Sequence, residues 1–270
     1  MTSLPRIQIG IFGGSGFYSL LEDAREIVVS TPYGAPSAPV VVGEIGGRST
    51  GFMPRHGVRH EFPPHMINYR ANLWAMKHLG ATDVILPCAT GSLRKQIEPG
   101  RVVFCDQVVD RTKGRADTYY DGPATTHVSF ASPYDDEMRG AAIEAATALG
   151  IPHHETGTMV VIQGPRFSTK AESKWFSAMG WDLVGMTQYP EVILARELEM
   201  AALNISLVTD YDVGLEDDPD IPPVSAAAVV EVFRANNRKL RDLLFAITPK
   251  LPLSPDRPSL HILEHARVGS

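Results

Sequence analysis

Two acidic residues flank a tyrosine in Thr209-Asp210-Tyr211-Asp212, at the end of the β-branched run Ile205–Thr209. Carboxyls at alternate positions of an extended chain share one side. One protonated and one ionised would suit an adenine edge: the neutral acid donates to N7, and the carboxylate accepts from the 6-amino group. The same pair could equally cap the following turn. Arg55-His56, inside Met53-Pro-Arg-His-Gly57, offers a planar fork of donors for phosphate with the histidine as a further donor, or else a solvated basic loop. Gly13-Gly-Ser15-Gly16 follows an apolar run, and such a loop can cup an anion in backbone N–H groups with the Ser15 hydroxyl added. The third glycine of a dinucleotide fingerprint is missing and no clear helix follows, so a bound NAD is not expected. His56, His60 and His65 invite a zinc reading, but Pro54, Pro63 and Pro64 argue against the helix face that would gather them, and no metal is expected. In Gly164-Pro-Arg-Phe-Ser-Thr-Lys170, Phe167 and Ser168 could line a pocket, while Arg166 and Glu172 could simply pair. Met186-Thr187 precedes Pro190-Glu191, a helix start. Alone, Met186 reads as core and Thr187 as a cap.

These groups need a scaffold, and hydropathy supplies one. Strands are expected over Arg6–Phe12, Val40–Ile45, Ser49–Met53, Asp83–Leu86, Gly157–Ile162 and Ile205–Thr209, with Gly46-Gly47 as a hairpin turn. Helices are expected over Asn68–Leu79, Glu137–Leu149, Ala171–Met179, Glu191–Leu203 and Ser225–Ile247, the first three stopped by Gly80, Gly150 and Gly180. From Pro249 onward, four prolines without periodicity suggest a loosely held tail. The alternation gives one α/β domain with a central sheet covered by helices. Ligands collect at strand ends in such sheets. Gly13–Gly16, Pro54–His60, Cys88–Ser92 and Asp210–Asp212 all sit there.

Composition narrows the partners. Of 270 residues, 44% are hydrophobic and 21% charged, with 25 Lys+Arg against 31 Asp+Glu and a net charge of −6. Those are the proportions of a soluble globular protein, and the acidic balance argues against nucleic acid. No run approaches the ~20 apolar residues that span a bilayer, and the N-terminus lacks a secretory pattern. Cys88 and Cys105 form no CxxC pair and are expected as reduced thiols, which points to the cytoplasm.

Taken in order, GGSGFY, PRHG with NYRAN, CATGSLR, DQVVDRT, YYDGP, GTMVVIQGPRFSTKAES, MTQYPE and TDYD resemble the 5′-methylthioadenosine phosphorylase branch of the trimeric purine nucleoside phosphorylase family. The resemblance runs from about Ile7 to Pro249. It implies a three-layer α/β sandwich with a central mixed sheet, a single phosphorylase domain over 1–250, a Pro-rich tail over 251–270, and assembly as a homotrimer or a dimer of trimers. It also implies phosphorolysis of S-methyl-5′-thioadenosine to adenine and 5-methylthioribose 1-phosphate, with inorganic phosphate as co-substrate and no cofactor. By position, the phosphate would be held by Ser15, Arg55, His56, Cys88, Ala89 and Thr187. Met186 would lie under the ribose. Asp210 and Asp212, with Tyr211 between them, would face the adenine, Ser168 its edge and Phe167 its plane. His60 would lie toward the 5′ end, which His127 would reach from a neighbouring subunit.

Three departures bear on specificity. Cys88 stands where relatives usually carry Thr or Ser, which removes a hydroxyl but keeps the Ala89 N–H. Gln188-Tyr189 differs from the usual residues, and Val213–Pro223 is longer and more acidic than expected beside the 5′ region. Ala226, small where valine is typical, suggests a roomier pocket there. Phosphate would attack C1′ while Asp210, kept neutral by burial and by Asp212, protonates N7. The alternatives are a purine nucleoside phosphorylase acting on adenosine, inosine or guanosine, a nucleosidase using water, and a nucleotide-binding protein without catalysis.

Overall fold

Segments that alternate apolar strands with capped helices close into one mixed sheet in the computed structural model, which describes residues 4–13, 22–123, 125–214, 221–264 and 266–268. The strands are β1 (Ile9–Gly13), β2 (Glu22–Ile27), β3 (Val40–Ile45), β4 (Arg48–Pro54), β5 (Asp83–Ser92), β6 (Val102–Val103), β7 (Gln107–Arg111), β8 (His153–His154), β9 (Thr158–Ile162), β10 (Leu183–Gly185) and β11 (Ala201–Asp210). The helices are α1 (Tyr69–His78), α2 (Asp136–Ala148), α3 (Lys170–Ala178), α4 (Gln188–Glu197) and α5 (Ala226–Ile247). The main path runs β2-β3-β4-β1-β5-β10-β9-β7, and β11 lies along β5 and continues to β6 and β8.

Side-chain chemistry explains the layers. α1 and α4 set Leu73, Met76, Val192 and Leu194 against one side of the sheet, together with Phe12 and Val84. On the other side α2 and α5 place Met138, Ala142, Leu240 and Leu243 against Ile9, Ile85 and Leu203. A strand buried on both faces reads as a continuous apolar run, as β1 and the first half of β5 do. Helix starts are written locally. Asn68 caps α1, Asp135 caps α2, Ser225 caps α5, and Thr169 with Glu172 forms a capping box on α3. The expected three-layer α/β sandwich is what forms.

Three expectations need correction. The helix placed over Glu191–Leu203 ends at Glu197. Glu199 takes a left-handed turn (φ 51°), and Ala201 already belongs to β11. The strand expected over Asp83–Leu86 does not stop there but runs on through Cys88–Ser92 as the second half of β5, paired with β11 and, at Gly91 and Ser92, with β10. The tail is docked rather than loose. Arg257, 3% exposed, reaches Asp83 at 2.6 Å, Ser259 donates to Asp135, and Ala266 accepts from the His127 amide at 2.7 Å.

β1, β4, β5 and β11 run parallel, so their C-terminal ends share one edge. Arg55 leaves β4 there, and Asp210 ends β11.

Candidate active site

β11 pairs with β5 in unbroken register to Val208, slips one residue, and sets Asp210 opposite Gly91. Space is tight at that point of β5. An added Cβ would stand 2.9 Å from Asp210 Oδ1 and 3.2 Å from Asp212 Cα. Asp212 takes a left-handed backbone (φ 52°), so the two carboxyls do not share a side of an extended strand as the spacing suggests. A tight turn joins them instead, with the Asp212 amide donating to Asp210 Oδ1 at 2.7 Å. The Thr209 hydroxyl donates to the other oxygen at 2.7 Å.

Burial dominates the electrostatics here. It pushes the Asp210 carboxyl up to about 6 against the two hydrogen bonds that favour its ionised form, and the neighbouring Asp212 charge adds only a minor push. Burial also raises Asp212, tempered by the nearby hydroxyls of Ser173 and Ser168. Asp212 Oδ2 and Ser168 Oγ are both buried without a hydrogen-bond partner. Neither atom is held in a regular hydrogen bond, although the Ser168 hydroxyl lies near enough to favour the Asp212 carboxylate, so both stay available to a ligand. This corner can therefore offer a neutral acid, a second carboxyl and a hydroxyl to a flat polar guest.

Arg55 lies at the other end, 3% exposed. Glu191 of α4 grips it through Nε (2.7 Å) and Nη2 (2.9 Å), and Nη1 donates to the Pro87 carbonyl at 2.6 Å. Burial would lower the guanidinium pKa, but the charge and hydrogen bonds of Glu191 outweigh it and hold the group firmly cationic. Thr187 sits at the N-cap of α4, buried, and its side chain makes no capping bond; the helix is kinked at Tyr189 in its first turn. Cys88 turns away into a buried cluster, its Sγ 3.6 Å from Ser206 Oγ and 3.5 Å from Asn204 Nδ2, which leaves its neighbour Ala89 half-buried beside it. His56 is the surprise. Its Nδ1 meets the Phe62 carbonyl at 2.9 Å, and a carbonyl only accepts, so that nitrogen carries the proton. Burial and the nearby Arg55 and His60 lower its pKa to about 4, so the neutral ring offers a lone pair at Nε2 rather than the extra donor expected from sequence.

Met186 packs so closely on Gly164 that an added Cβ there would lie 2.7 Å from its sulfur. Arg115, which the sequence did not single out, clamps this segment. It donates to the Met186 carbonyl at 2.9 Å and to the Gln163 carbonyl at 2.8 Å, with the Tyr69 hydroxyl at 3.3 Å. Phe167 is 36% exposed and free to cover a guest. Arg166 does pair with Glu172, at 2.7 Å. His60 stacks on His56 with ring centroids 4.3 Å apart. The Tyr211 hydroxyl donates to the Lys95 carbonyl. Ala226 is exposed in the first turn of α5, and exposed His127 lies on the segment bridged to the C-terminal residues. Ser15 lies outside the described residues, as do residues 215–220 of the acidic stretch.

The family model described as "Phosphorylase superfamily" matches residues 8–248. The chain belongs to the phosphorylase superfamily. Among relatives, S-methyl-5′-thioadenosine phosphorylase of Thermofilum pendens is 50% identical over 92% of this chain and 94% of its own. Purine nucleoside phosphorylase of Streptomyces coelicolor is 48% identical over 95% and 94%. In structure, methylthioadenosine phosphorylase of Schistosoma mansoni in complex with adenine superposes with a TM-score of 0.90 at 33% identity, covering 97% of this chain and 99% of that one.

Proposed function

We propose that this chain catalyses the phosphorolysis of S-methyl-5′-thioadenosine, releasing adenine and 5-methylthioribose 1-phosphate. The observation that carries the reading is a buried, protonatable Asp210 beside Asp212 at the C-terminal end of β11, on the same sheet edge where the Arg55 fork leaves β4. Phosphate held by Arg55, Thr187 and the Ala89 amide attacks C1′ from below the sugar. The C1′–N9 electron pair passes into the purine as the bond lengthens, and Asp210 gives its proton to N7. Holding the two reactants face to face removes the entropy of their encounter. The phosphate charge steadies the oxocarbenium-like sugar. An asparagine in place of Asp210 would suit a 6-oxopurine, so aspartate supports adenine.

No cofactor belongs to this reading, in which inorganic phosphate is the co-substrate. It includes a cytoplasmic homotrimer or homohexamer in which His127 approaches a neighbouring subunit's 5′ end. The similarity to the Streptomyces coelicolor enzyme favours a second reading, phosphorolysis of adenosine, inosine or guanosine. Adenine or hypoxanthine release from methylthioadenosine, adenosine and inosine, each with and without phosphate, separates the two. Phosphate-dependent preference for methylthioadenosine is expected. Preference for inosine, or release indifferent to phosphate, defeats the proposal.

A further inference from the structure

We propose that Glu191 is a positioning residue for the phosphate end of the site, fixing the Arg55 guanidinium so that its remaining N–H groups form the anion's grip. The inference rests on the phosphate role proposed above for Arg55. A guanidinium carries five N–H groups in one plane. The Glu191 carboxylate takes the one on Nε and one on Nη2, side by side at 2.7 and 2.9 Å. The Pro87 carbonyl takes one on Nη1 at 2.6 Å. Two remain, one on each terminal nitrogen, and with three of five donors anchored the plane cannot rotate.

Such anchoring has a physical purpose. An arginine free to turn would satisfy itself on any carbonyl, and phosphate would have to reorient it on every turnover. Glu191 is wholly buried and lies four residues after Thr187, just past the kink at Tyr189 (φ −112°, ψ 128°), so the segment that carries Thr187 also carries the carboxylate that locks Arg55. The second anchor, Pro87, directly precedes Cys88 and Ala89 on β5. Three pieces assigned to phosphate are thereby tied to one buried ion pair. The pair also leaves the phosphate's own charge largely uncancelled, since the guanidinium is already matched by a carboxylate. The anion is held by directed N–H groups and stays nucleophilic.

The test is steady-state kinetics on the full chain with phosphate and methylthioadenosine varied in turn. Glu191→Gln keeps the shape but turns an amide N–H toward one guanidinium N–H. It is expected to raise the KM for phosphate by about tenfold to a hundredfold, the scale of a small misplacement of a reactant. The KM for the nucleoside should move by less than about threefold, because Glu191 acts through Arg55 alone, and Arg55→Lys/Glu191→Gln should bind phosphate no worse than Arg55→Lys. Should Glu191→Gln not fold, Glu191→Asp, which keeps the charge and shortens the reach, supplies the same comparison. A phosphate-dependent parent whose variant loses thermal stability with an unmoved phosphate KM overturns the role and leaves the functional reading standing. A parent that releases adenine without regard to phosphate overturns both.

Discussion

At the scale of single residues, Asp210 holds the chemistry because burial outweighs the two hydrogen bonds that favour its ionised form. Asp210→Asn keeps the shape and removes the transferable proton. Turnover of adenine nucleosides should fall by ~10²–10⁴, the worth of a positioned general acid, with phosphate-induced thermal stabilisation retained. The acid acts only while protonated, so kcat/KM should carry an alkaline limb centred near pH 6 that the asparagine variant's residual activity lacks. Stability follows the same group with a definite sign. A carboxyl raised to about 6 in the fold, against about 4 unfolded, contributes fully below the lower value and loses that contribution as pH rises through the higher one. The melting temperature of Asp210→Asn should therefore gain on the parent's between about pH 4 and 7. Residue types were legible here: acids, an arginine and a serine in suggestive places. Their partners were not. Glu191 lies 136 positions from Arg55, and Arg115 sits in a loop with no pattern to mark it. The spacing of Asp210 and Asp212 misled because Asp212 leaves the extended conformation.

At the scale of elements, Gly91 shows how the sheet sets the chemistry. β5 pairs with both β10 and β11 at this residue, and an added Cβ would meet Val184 Cγ1 at 3.1 Å, Asp210 Oδ1 at 2.9 Å and the Asp212 backbone at 3.2 Å. The side chains could yield, but the backbone carries Asp212 with it. Gly91→Ala should cost about 1–3 kcal/mol of stability, as overpacking does, and should lower kcat/KM by more than that loss accounts for. Gly140→Ala is the control. Inside α2, with nothing within 4 Å of the new Cβ, it should stabilise by about 0.5–1 kcal/mol and leave turnover alone. Urea unfolding beside initial-rate assays reads both. Among elements, helices with a capping side chain and a stopping glycine were readable from sequence to within a residue or two. Short strands were not. β6 and β8 have two residues each and β10 has three, too few for any periodicity, and β2 reads EDAREI, a polar segment held by pairing with β3. The boundary between α4 and β11 was lost because both are apolar and the turn between them contains no glycine or proline, only Glu199 in a left-handed conformation.

At the scale of the whole molecule, Arg257, Ser259 and Leu263 tie the C-terminal segment to the body, a role that its prolines and lack of periodicity concealed. Arg257 is buried between Asp83, where β5 begins, and Asp135, which caps α2, at 2.6 and 3.7 Å. Ser259 also donates to Asp135, and the Leu263 amide donates to Glu199 in the turn before β11. One basic residue thus compensates two buried carboxylates, one at the start of a strand and one capping a helix. Arg257→Ala would leave both unmatched, and breaking a buried pair from one side typically costs about 3–5 kcal/mol. The cost should shrink as pH falls, because Asp83, already raised by burial, can then take up a proton instead of standing as an uncompensated charge. The effect should also travel. Beyond the lock, the chain bonds to Thr125–His127 through the Ala266 carbonyl and the Val268 amide. Loosening Arg257 should therefore speed amide hydrogen exchange at His127 while the amides of β5 near Gly91 stay protected. Uniform acceleration across both would mean that the tail stabilises the fold as a whole and does not specifically hold the segment that carries His127.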